Sequence, residues 1–471
     1  MTKAERQPSF LVALGVFLGI IAILMFGIFV LKTDLHVLLV CGLFLTAVVS
    51  KLIGFQWLEI RTAMTKGMNR ALVAMIIFIM IGMLVGSWIH AGTVPALIYF
   101  GLELINPSIF LPAGFILCSL SSMATGTSWG TAGTMGVALM GIGGGLGIPA
   151  PMTAGMVISG AVFGDKMSPL SDTTNLAAAS SDTNLYHHIG AMAYTTIPAF
   201  IISLVVYTFM GLQYGDGSID NQNITLIQDM LDSKFNLNPL VIIPMAAVLI
   251  LSIMRVPAIP AMFSGVVLGV ITALIFQGAS FAESLNAINY GYKSDTGLAL
   301  VDKLLNRGGI QSMMWTFSLA FIALCLGGVL DEMGFLKTLV ERITRVVNKV
   351  GHLIAVTIFS GIIANATMGE AYLSIILNGR LYRKAYEEKG LENRMLSRVI
   401  EEGATMSTPM IPWTTAGAFM AGTLGVSTFA YAPYAILNWI NPLLSIALSY
   451  AGIFVFYRDK AKETPTENQA T

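Results

Sequence analysis

Long apolar runs recur along the whole chain, and each is close to the 20 residues that an α-helix needs to cross about 30 Å of hydrocarbon. Clear examples cover residues 10–31, 35–55, 71–89, 189–212, 239–256 and 431–457. Of the 471 residues only 11% are charged, whereas a soluble domain usually carries about 25%. The sequence therefore predicts an all-α polytopic membrane protein. The first run is too long for a signal-peptide core, so we expect a retained helix.

Basic residues predict how the chain is oriented, because cytoplasmic links are enriched in Lys and Arg. Residues 51–70, 337–349 and the tail 458–471 are basic, whereas 213–237 carries four Asp against one Lys. We therefore place both termini in the cytoplasm, at a cell membrane crossed many times, and 213–237 outside. Residues 380–402 carry six Lys or Arg and five Glu, and the repeat described next places this link outside as well.

The chain also resembles itself at an offset of about 240 residues. Three matches occur in order: 86–92 with 328–334, Ala124-Thr125 with Ala366-Thr367, and Pro169 and Thr174 with Pro409 and Thr414. Counting the spans between them makes equivalent segments run in opposite directions, which predicts an inverted-topology repeat with broken helices and re-entrant hairpins. Such repeats are typical of secondary transporters, whose site lies near the midplane between the halves.

The repeat and the apolar runs together predict five regions of the chain. They are N-terminal helices and a cytoplasmic link (1–70), a first repeat (71–212), an external loop with connecting helices (213–310), a second repeat (311–457) and a cytoplasmic tail (458–471).

Residues 119–133 interrupt the apolar runs of the first repeat with many Ser, Thr and Gly residues. Unwound backbone at membrane depth is tolerated only where it is buried in protein or lines a cavity. We therefore take Thr127 and Ser128 as candidate binding residues. Close helix packing through small residues is the alternative.

A second polar segment, residues 164–179, contains Asp172 followed by Thr173, Thr174 and Asn175. Their oxygens are hard ligands suited to a cation such as Na⁺, and an ionisable residue between long apolar stretches is a functional candidate by default. Asp172, Thr173 and Asn175 are therefore the Na⁺ candidates, with Thr174 beside them. The alternative for Asp172 is a plain helix N-cap.

Three charged or titratable neighbours of this segment have separate expectations. Asp165 is a candidate second carboxylate of the site. Lys166 is expected to reach the membrane interface, and His187 and His188 are expected to lie on the surface.

The second repeat supplies counterparts. Glu370 stands where the first repeat has Thr127 or Ser128, and residues 405–417 mirror the Asp172 segment, adding Thr414 and Thr415 as candidates. Pro412 or Trp413 is expected at the place of Asp172. The sequence thus predicts one carboxylate from each repeat, Asp172 and Glu370, at a shared site.

Other chemistries find little support. The chain has no Gly-x4-Gly-Lys phosphate-binding motif and no His-Glu-x-x-His motif, and its three cysteines are scattered. A net charge of zero gives no indication of a nucleic-acid partner. We expect a non-enzymatic protein whose partner is the lipid bilayer, with no cofactor beyond Na⁺ and H⁺ as transported ions.

Residues 164–178 resemble the signature of the NhaC-type Na⁺/H⁺ antiporters, and 124–131 and 412–416 fit the same family. The resemblance covers most of the chain. It implies an inverted-repeat fold, exchange of Na⁺ for H⁺ by alternating access, and Asp172 with Thr173 as ion-site residues. The family also contains a malate/lactate exchanger, so a carrier of small carboxylates or amino acids is the alternative. The oligomeric state stays open, with a homodimer among the alternatives.

Overall fold

The computed structural model describes residues 6–214, 221–344 and 349–458. Parts of the predicted links 213–237 and 337–349, and most of the predicted tail 458–471, lie outside these ranges. Within them every regular element is a helix, and one isolated bridge joins Leu391 to Tyr457. Eight of the described helices are long and apolar enough to cross a membrane, or nine if the bent pair within 224–253 forms one span. The prediction of an all-α, multi-span protein is confirmed.

Helices of the first half follow one another with short links. They are α1 (Phe10–Phe26), α2 (Leu35–Ile53), α3 (Trp57–Arg70), α4 (Leu72–His90), α5 (Thr93–Leu104), α6 (Pro107–Thr125), α7 (Ser128–Thr131), α8 (Val137–Gly145), α9 (Ala150–Met167), α10 (Asp172–Ser180) and α11 (Leu185–Leu212). Two π-helical turns, Gly27–Leu31 and Ala132–Gly136, extend α1 and join α7 to α8.

The second half is divided more finely. Its helices are α12 (Asn221–Lys234), α13 (Ile243–Ile253), α14 (Ala258–Phe276), α15 (Phe281–Tyr290), α16 (Ala299–Leu305), α17 (Met314–Glu332), α18 (Phe335–Thr344), α19 (Val350–Met368), α20 (Ala371–Glu388), α21 (Asn393–Ser407), α22 (Thr415–Leu424), α23 (Thr428–Tyr431) and α24 (Ile436–Tyr450). Turns of 3₁₀ helix lie at Pro239–Ile242, Ile310–Met313, Thr408–Met410 and Ala432–Tyr434.

Two predicted segments are wrong in their extent. The run 431–457 is not one span, because the 3₁₀ turn Ala432–Tyr434, which contains Pro433, separates α23 from α24. Residues 380–402 are not a link, because α20 runs to Glu388 and α21 begins at Asn393. Proline has no backbone N–H to donate within a helix, which explains the first break. The second error arose because charged residues in α21 were read as solvent-facing.

Equivalent glycines end equivalent helices in the two halves. Gly92 follows α4 with φ of 78°, and Gly334 follows α17 with φ of 81°. Residues with a side chain rarely adopt this left-handed conformation, so glycine is needed at both turns. The same local geometry at an offset of 242 residues agrees with the match of 86–92 to 328–334 in the sequence.

Helix packing repeats with the same spacing. A Cβ atom on Gly160 of α9 would lie 2.6 Å from the carbonyl oxygen of Phe115 in α6. A Cβ atom on Gly403 of α21 would lie 2.7 Å from the carbonyl oxygen of Ile358 in α19. Glycine at these positions lets the paired backbones touch, and α6–α9 and α19–α21 are therefore corresponding pairs, 243 residues apart.

The two halves also contact each other crosswise. Gly86 of α4, in the first half, lies directly against the carbonyl oxygen of Ala287 in α15. Gly328 of α17, in the second half, lies directly against the carbonyl oxygen of Ala63 in α3. The equivalent helices α4 and α17 therefore each pack against a shorter helix of the other half, α15 and α3 respectively. These contacts join the two halves into one continuous body.

Candidate functional site

The first break in the site follows α6. Gly126 is left-handed with φ of 70°, and Thr127 is extended and caps α7, its hydroxyl oxygen accepting from the backbone N–H of Gly130 at 3.2 Å. A Cβ atom on Gly126 would lie 2.6 Å from the Cβ of Leu170. Glycine is required here by conformation and by space, and the contact holds the first break against the segment that joins α9 to α10.

Asp165, near the end of α9, is connected to the first break by two hydrogen bonds. Its Oδ2 accepts from the backbone N–H of Ser128 at 3.1 Å and from the Ser128 hydroxyl at 2.6 Å. The carboxyl group is buried. Because Ser128 is the first residue of α7, the N-terminal dipole of that short helix also points at this carboxyl.

The second break separates α9 from α10. Ser171 caps α10 and accepts from the N–H of Thr174, which makes Asp172 the first residue of the helix. The hydroxyl of Ser168 donates to the carbonyl oxygen of Met123 at 2.8 Å, so this break is fixed to the end of α6. Asp172 is not the cap, and its side chain is exposed, which leaves it free to meet a ligand.

The second half builds the same arrangement with different side chains. Gly369 ends α19 with φ of 69°, and Glu370 is extended and caps α20. The hydroxyl of Thr415 donates to Oε2 of Glu370 at 2.6 Å. Thr414 caps α22 in the way that Ser171 caps α10, accepting from the N–H of Gly417 at 3.0 Å.

These caps correct one expectation about the repeat. Ser171 corresponds to Thr414, so Asp172 corresponds to Thr415 and not to Pro412 or Trp413. The offset is 243 residues here, whereas the sequence match gave 240. The same offset of 243 relates Gly160 to Gly403 before the break, so Pro169 corresponds to Pro412. The sequence match had paired Pro169 with Pro409, which shifted the apparent alignment.

One cavity of about 620 Å³ brings the breaks of both halves together. Seven of the predicted site residues line it: Thr127, Ser128, Asp165, Asp172, Thr173, Glu370 and Thr415. Trp129 also lines the cavity and stacks on Phe419 of α22, with ring centroids 4.3 Å apart. Residues of α6, α7, α9 and α10 thus share one cavity with residues of α20, α21 and α22.

Three predicted residues lie beside the cavity without lining it. The hydroxyl of Thr174 donates to the carbonyl oxygen of Lys166 at 3.1 Å, and the amide of Asn175 donates to those of Ser171 and Pro169 at 2.7 and 3.0 Å. The hydroxyl of Thr414 donates to the carbonyl oxygen of Thr408 at 2.5 Å. These side chains hold the broken backbone in place, and their part in ion binding stays a prediction.

The charge around the cavity is uneven. Three carboxyl groups line it, those of Asp165, Asp172 and Glu370, and the basic residues in its lining are Arg70 and Arg255. Arg70 donates to Glu332 at 2.8 Å and also pairs with Asp331, so its charge is already balanced. The polar end of the cavity therefore presents carboxyl and hydroxyl oxygens, which are hard ligands for a small cation.

A cluster of ionisable side chains behind the cavity was missed by the sequence analysis. Lys166 is fully buried, so its expected position at the interface is wrong, and Arg398, Glu401 and Glu402 of α21 are fully buried as well. His188, expected on the surface, is buried and its Nδ1 lies 2.8 Å from the hydroxyl of Ser397. The correspondence of α21 with the buried helix α9 is the signal that would have revealed these groups.

No group of three or more His, Cys, Asp or Glu side chains in the described ranges is arranged to hold a metal ion. The arrangement at the breaks is of another kind, with single carboxyl groups from α9, α10 and the start of α20 placed beside hydroxyl groups. Such a set offers oxygen ligands of the hard type that small cations take in proteins.

Comparisons with known proteins agree over most of the chain. A model of the Na⁺/H⁺ antiporter family matches residues 160–453. The malate-2H⁺/Na⁺-lactate antiporter of Bacillus subtilis is 38% identical, over 97% of this chain and 97% of its own. The Na⁺/H⁺ antiporter NhaC of Alkalihalophilus pseudofirmus is 39% identical over 97% and 98%, and the arginine/ornithine antiporter ArcD of Halobacterium salinarum is 37% identical over 99% and 97%.

Proposed function

The chain belongs to the Na⁺/H⁺ antiporter family, and from this premise we propose that it exchanges Na⁺ for H⁺ across the cell membrane by alternating access. The observation that carries the proposal is the shared cavity, into which both halves bring carboxyl groups at the ends of broken helices. A relative of similar length is a Na⁺/H⁺ antiporter by name. The protein is then a transporter whose cargo consists of ions, with no cofactor required.

Charge balance gives the exchange its mechanism. An ionised carboxylate is costly to bury unless a cation or a proton neutralises it. Na⁺ binds to Asp172 and Asp165 with the hydroxyl oxygens of Thr173 and Ser128, and protons on the same carboxyl groups displace it. Either loaded form moves between the two faces of the membrane, whereas the empty charged form does not. Exchange of one ion for the other is therefore obligatory.

The two halves supply the two access states in this scheme. If they are inverted repeats, exchanging their conformations moves the opening from one face of the membrane to the other. Arg70, the last residue of α3, lines the cavity, so the described conformation opens towards the cytoplasm when the basic segment 51–70 is cytoplasmic. Both termini lie on the same side in this orientation.

A second candidate function is exchange of small organic acids or amino acids coupled to the same ions. The cavity volume of about 620 Å³ is large for a bare Na⁺ ion and falls in the range of pockets for small organic ligands. Arg255 also lines it and offers a guanidinium to a substrate carboxylate. Two relatives are antiporters of malate and lactate and of arginine and ornithine by name.

One experiment separates the two candidates. The purified protein is reconstituted in liposomes that contain a pH-sensitive dye, and Na⁺ is added outside alone, or with malate, lactate, arginine or ornithine. Proton movement with Na⁺ alone supports the simple antiporter. Movement that requires an organic solute supports the second candidate, and no movement under any of these conditions contradicts both.

A further inference from the structure

Glu401 of α21 is a buried carboxyl group that the proposed mechanism does not use. It is fully buried, and neither of its oxygens accepts a hydrogen bond from the residues that the structure describes. The side chains of Thr173 and Thr405, which both line the cavity, face it from the cavity side. Glu401 thus lies directly behind the cavity wall without reaching the cavity itself.

Electrostatic contacts place Glu401 close to the cavity carboxyl groups. Asp165 lies within electrostatic range of Glu401. The Tyr372 side chain, which lines the cavity, lies within range of Asp165, Asp172, Glu370 and Glu401 together. A charge on Glu401 is therefore felt by any cation that these residues bind.

Glu401 and its neighbour Glu402 differ in how they are neutralised. Glu402 accepts from the hydroxyl of Thr195 at 2.5 Å and lies 3.6 Å from Nε of Arg398. Glu401 has no such direct partner among the described residues, and the cation facing it is Lys166 of α9. The ammonium of Lys166 donates to Oδ1 of Asn441 in α24 at 3.2 Å and is shared electrostatically between the two glutamates.

We propose that Glu401 sets the Na⁺ affinity of the cavity through its charge, without contacting the ion, and that Lys166 limits this effect as a fixed counter-charge. The inference rests on the proposed exchange of Na⁺ for H⁺. Lys166 and Asp165 are neighbours in sequence, but their side chains leave α9 in directions about 100° apart: Asp165 lines the cavity, whereas Lys166 does not and bonds to Asn441. The pair adjusts how strongly the site attracts a cation while leaving its ligands unchanged.

Neutralising Glu401 and neutralising Lys166 should change the Na⁺ affinity in opposite directions, which distinguishes this role from a purely structural one. Neutralising Glu401 leaves the positive charge of Lys166 unbalanced behind the wall and weakens Na⁺ binding. Neutralising Lys166 leaves the negative charge of Glu401 unbalanced and strengthens it. A contact that merely holds α9 against α21 would weaken binding in both variants, because either loss would loosen the same helix pair.

The test measures Na⁺ affinity of the purified protein by titration calorimetry for the wild type, Glu401→Gln, Lys166→Met, the double variant and Lys166→Arg. We expect Glu401→Gln to bind Na⁺ about tenfold more weakly, since a unit charge several ångströms away in a protein interior has an effect of this order. Lys166→Met binds it several-fold more tightly. The double variant and Lys166→Arg, which keep the charges balanced, return to within about threefold of the wild type.

Two controls keep the result interpretable. Glu388→Gln changes an exposed glutamate of α20 and should leave the affinity unchanged. If Lys166→Met does not fold, the balanced double variant and Glu401→Gln still compare a neutral with an unbalanced cluster. Weaker binding in every folded variant overturns the inference, as does an unchanged affinity in Glu401→Gln. A wild type that binds no Na⁺ contradicts the proposed function itself.

Discussion

At Gly126 and at Gly369 the chain leaves a helix in the same left-handed conformation, with φ of 70° and 69°. The next residue is extended in both cases, with φ of −146° at Thr127 and −147° at Glu370. The two breaks therefore share a backbone conformation and differ in the side chain at the N-cap position of the following helix. One break offers a hydroxyl at this position, and the other a carboxyl.

The difference continues through each half-site. The first half contributes Asp165 and Asp172 to the cavity, and the second contributes Glu370 alone. At the position equivalent to Asp172 the second half has Thr415, whose hydroxyl donates to Glu370. A common backbone can thus carry unequal charge, and we expect a bound cation to lie nearer the first half. Four sets of substitutions test this comparison, from the largest expected effect to the smallest.

Asp172→Asn should have the largest effect on transport. Removing one carboxylate that a buried cation depends on costs about 3–5 kcal/mol, so Na⁺-dependent proton flux in liposomes should fall at least a hundredfold. The side chain is exposed and lines the cavity, so the thermal unfolding midpoint should not change. Thr415→Ser at the equivalent position is the control, and full activity in Asp172→Asn would rule out the proposed site.

Gly126→Ala and Gly369→Ala compare the two breaks as structures. Both force a side chain into the left-handed region, at a cost of about 1–2 kcal/mol. The new methyl group at Gly126 would also lie 2.6 Å from the Cβ of Leu170, whereas the nearest atom to a Cβ on Gly369 is 3.7 Å away. We expect a loss of about 3 kcal/mol at Gly126 and about 1 kcal/mol at Gly369, measured by unfolding in mixed micelles. Equal losses of stability in the two variants would show that the backbone around Gly126 moves to accommodate the new methyl group.

Glu370→Gln asks how much the second half contributes to the charge of the site. The amide still accepts from Thr415, so the packing persists while the charge is lost. We expect flux to fall about tenfold, which corresponds to about 1.4 kcal/mol and is less than for Asp172→Asn. The exposed Glu388→Gln is the matched control. A loss as large as that of Asp172→Asn would mean that the halves share the cation equally.

Ser128→Ala and Thr415→Val remove the two hydroxyl donors, each 2.6 Å from its carboxyl oxygen. A hydrogen bond to a charged group contributes about 1.5–3 kcal/mol, but only part of this is lost when water or Na⁺ replaces the donor. We expect the Na⁺ concentration for half-maximal flux to rise about threefold in each variant. A large rise of this Na⁺ concentration in one variant alone would show that the Ser128–Asp165 and Thr415–Glu370 pairs are not equivalent.

Much of this arrangement was predictable from the sequence. The glycines that follow Ala124-Thr125 and Ala366-Thr367 marked both breaks, and Asp165, Asp172 and Glu370 stood out as carboxyl groups between apolar runs. Glycines at turns and ionisable residues between apolar runs can be identified from the sequence alone, because other residues are unfavourable at such turns and charges are costly in a membrane.

The rest could not be predicted, because the same residue types occur both in solvated segments and in buried helices. Arg398, Glu401 and Glu402 look like a solvated charged segment in sequence, and the packing of α21 against α19 and α9 shows that they are buried. The register between Asp172 and Thr415 was also hidden, since the sequence match paired Pro169 with Pro409, three residues before its structural equivalent Pro412. A shift of this size is settled by helix caps, which depend on hydrogen bonds and not on residue identity.

The crosswise contacts of Gly86 and Gly328 have a consequence for how the protein is made. When Gly328 is synthesised, its contact residue Ala63 is already in the membrane. The contact residue of Gly86 is Ala287, which is synthesised roughly 200 residues after Gly86. At a synthesis rate of about 5–20 residues per second, the glycine face of α4 lacks its α15 contact for about 10–40 s. The newborn first half is therefore the vulnerable stage, and we expect ribosome-bound chains that stop before α15 to be degraded by membrane proteases, whereas chains that extend past it survive.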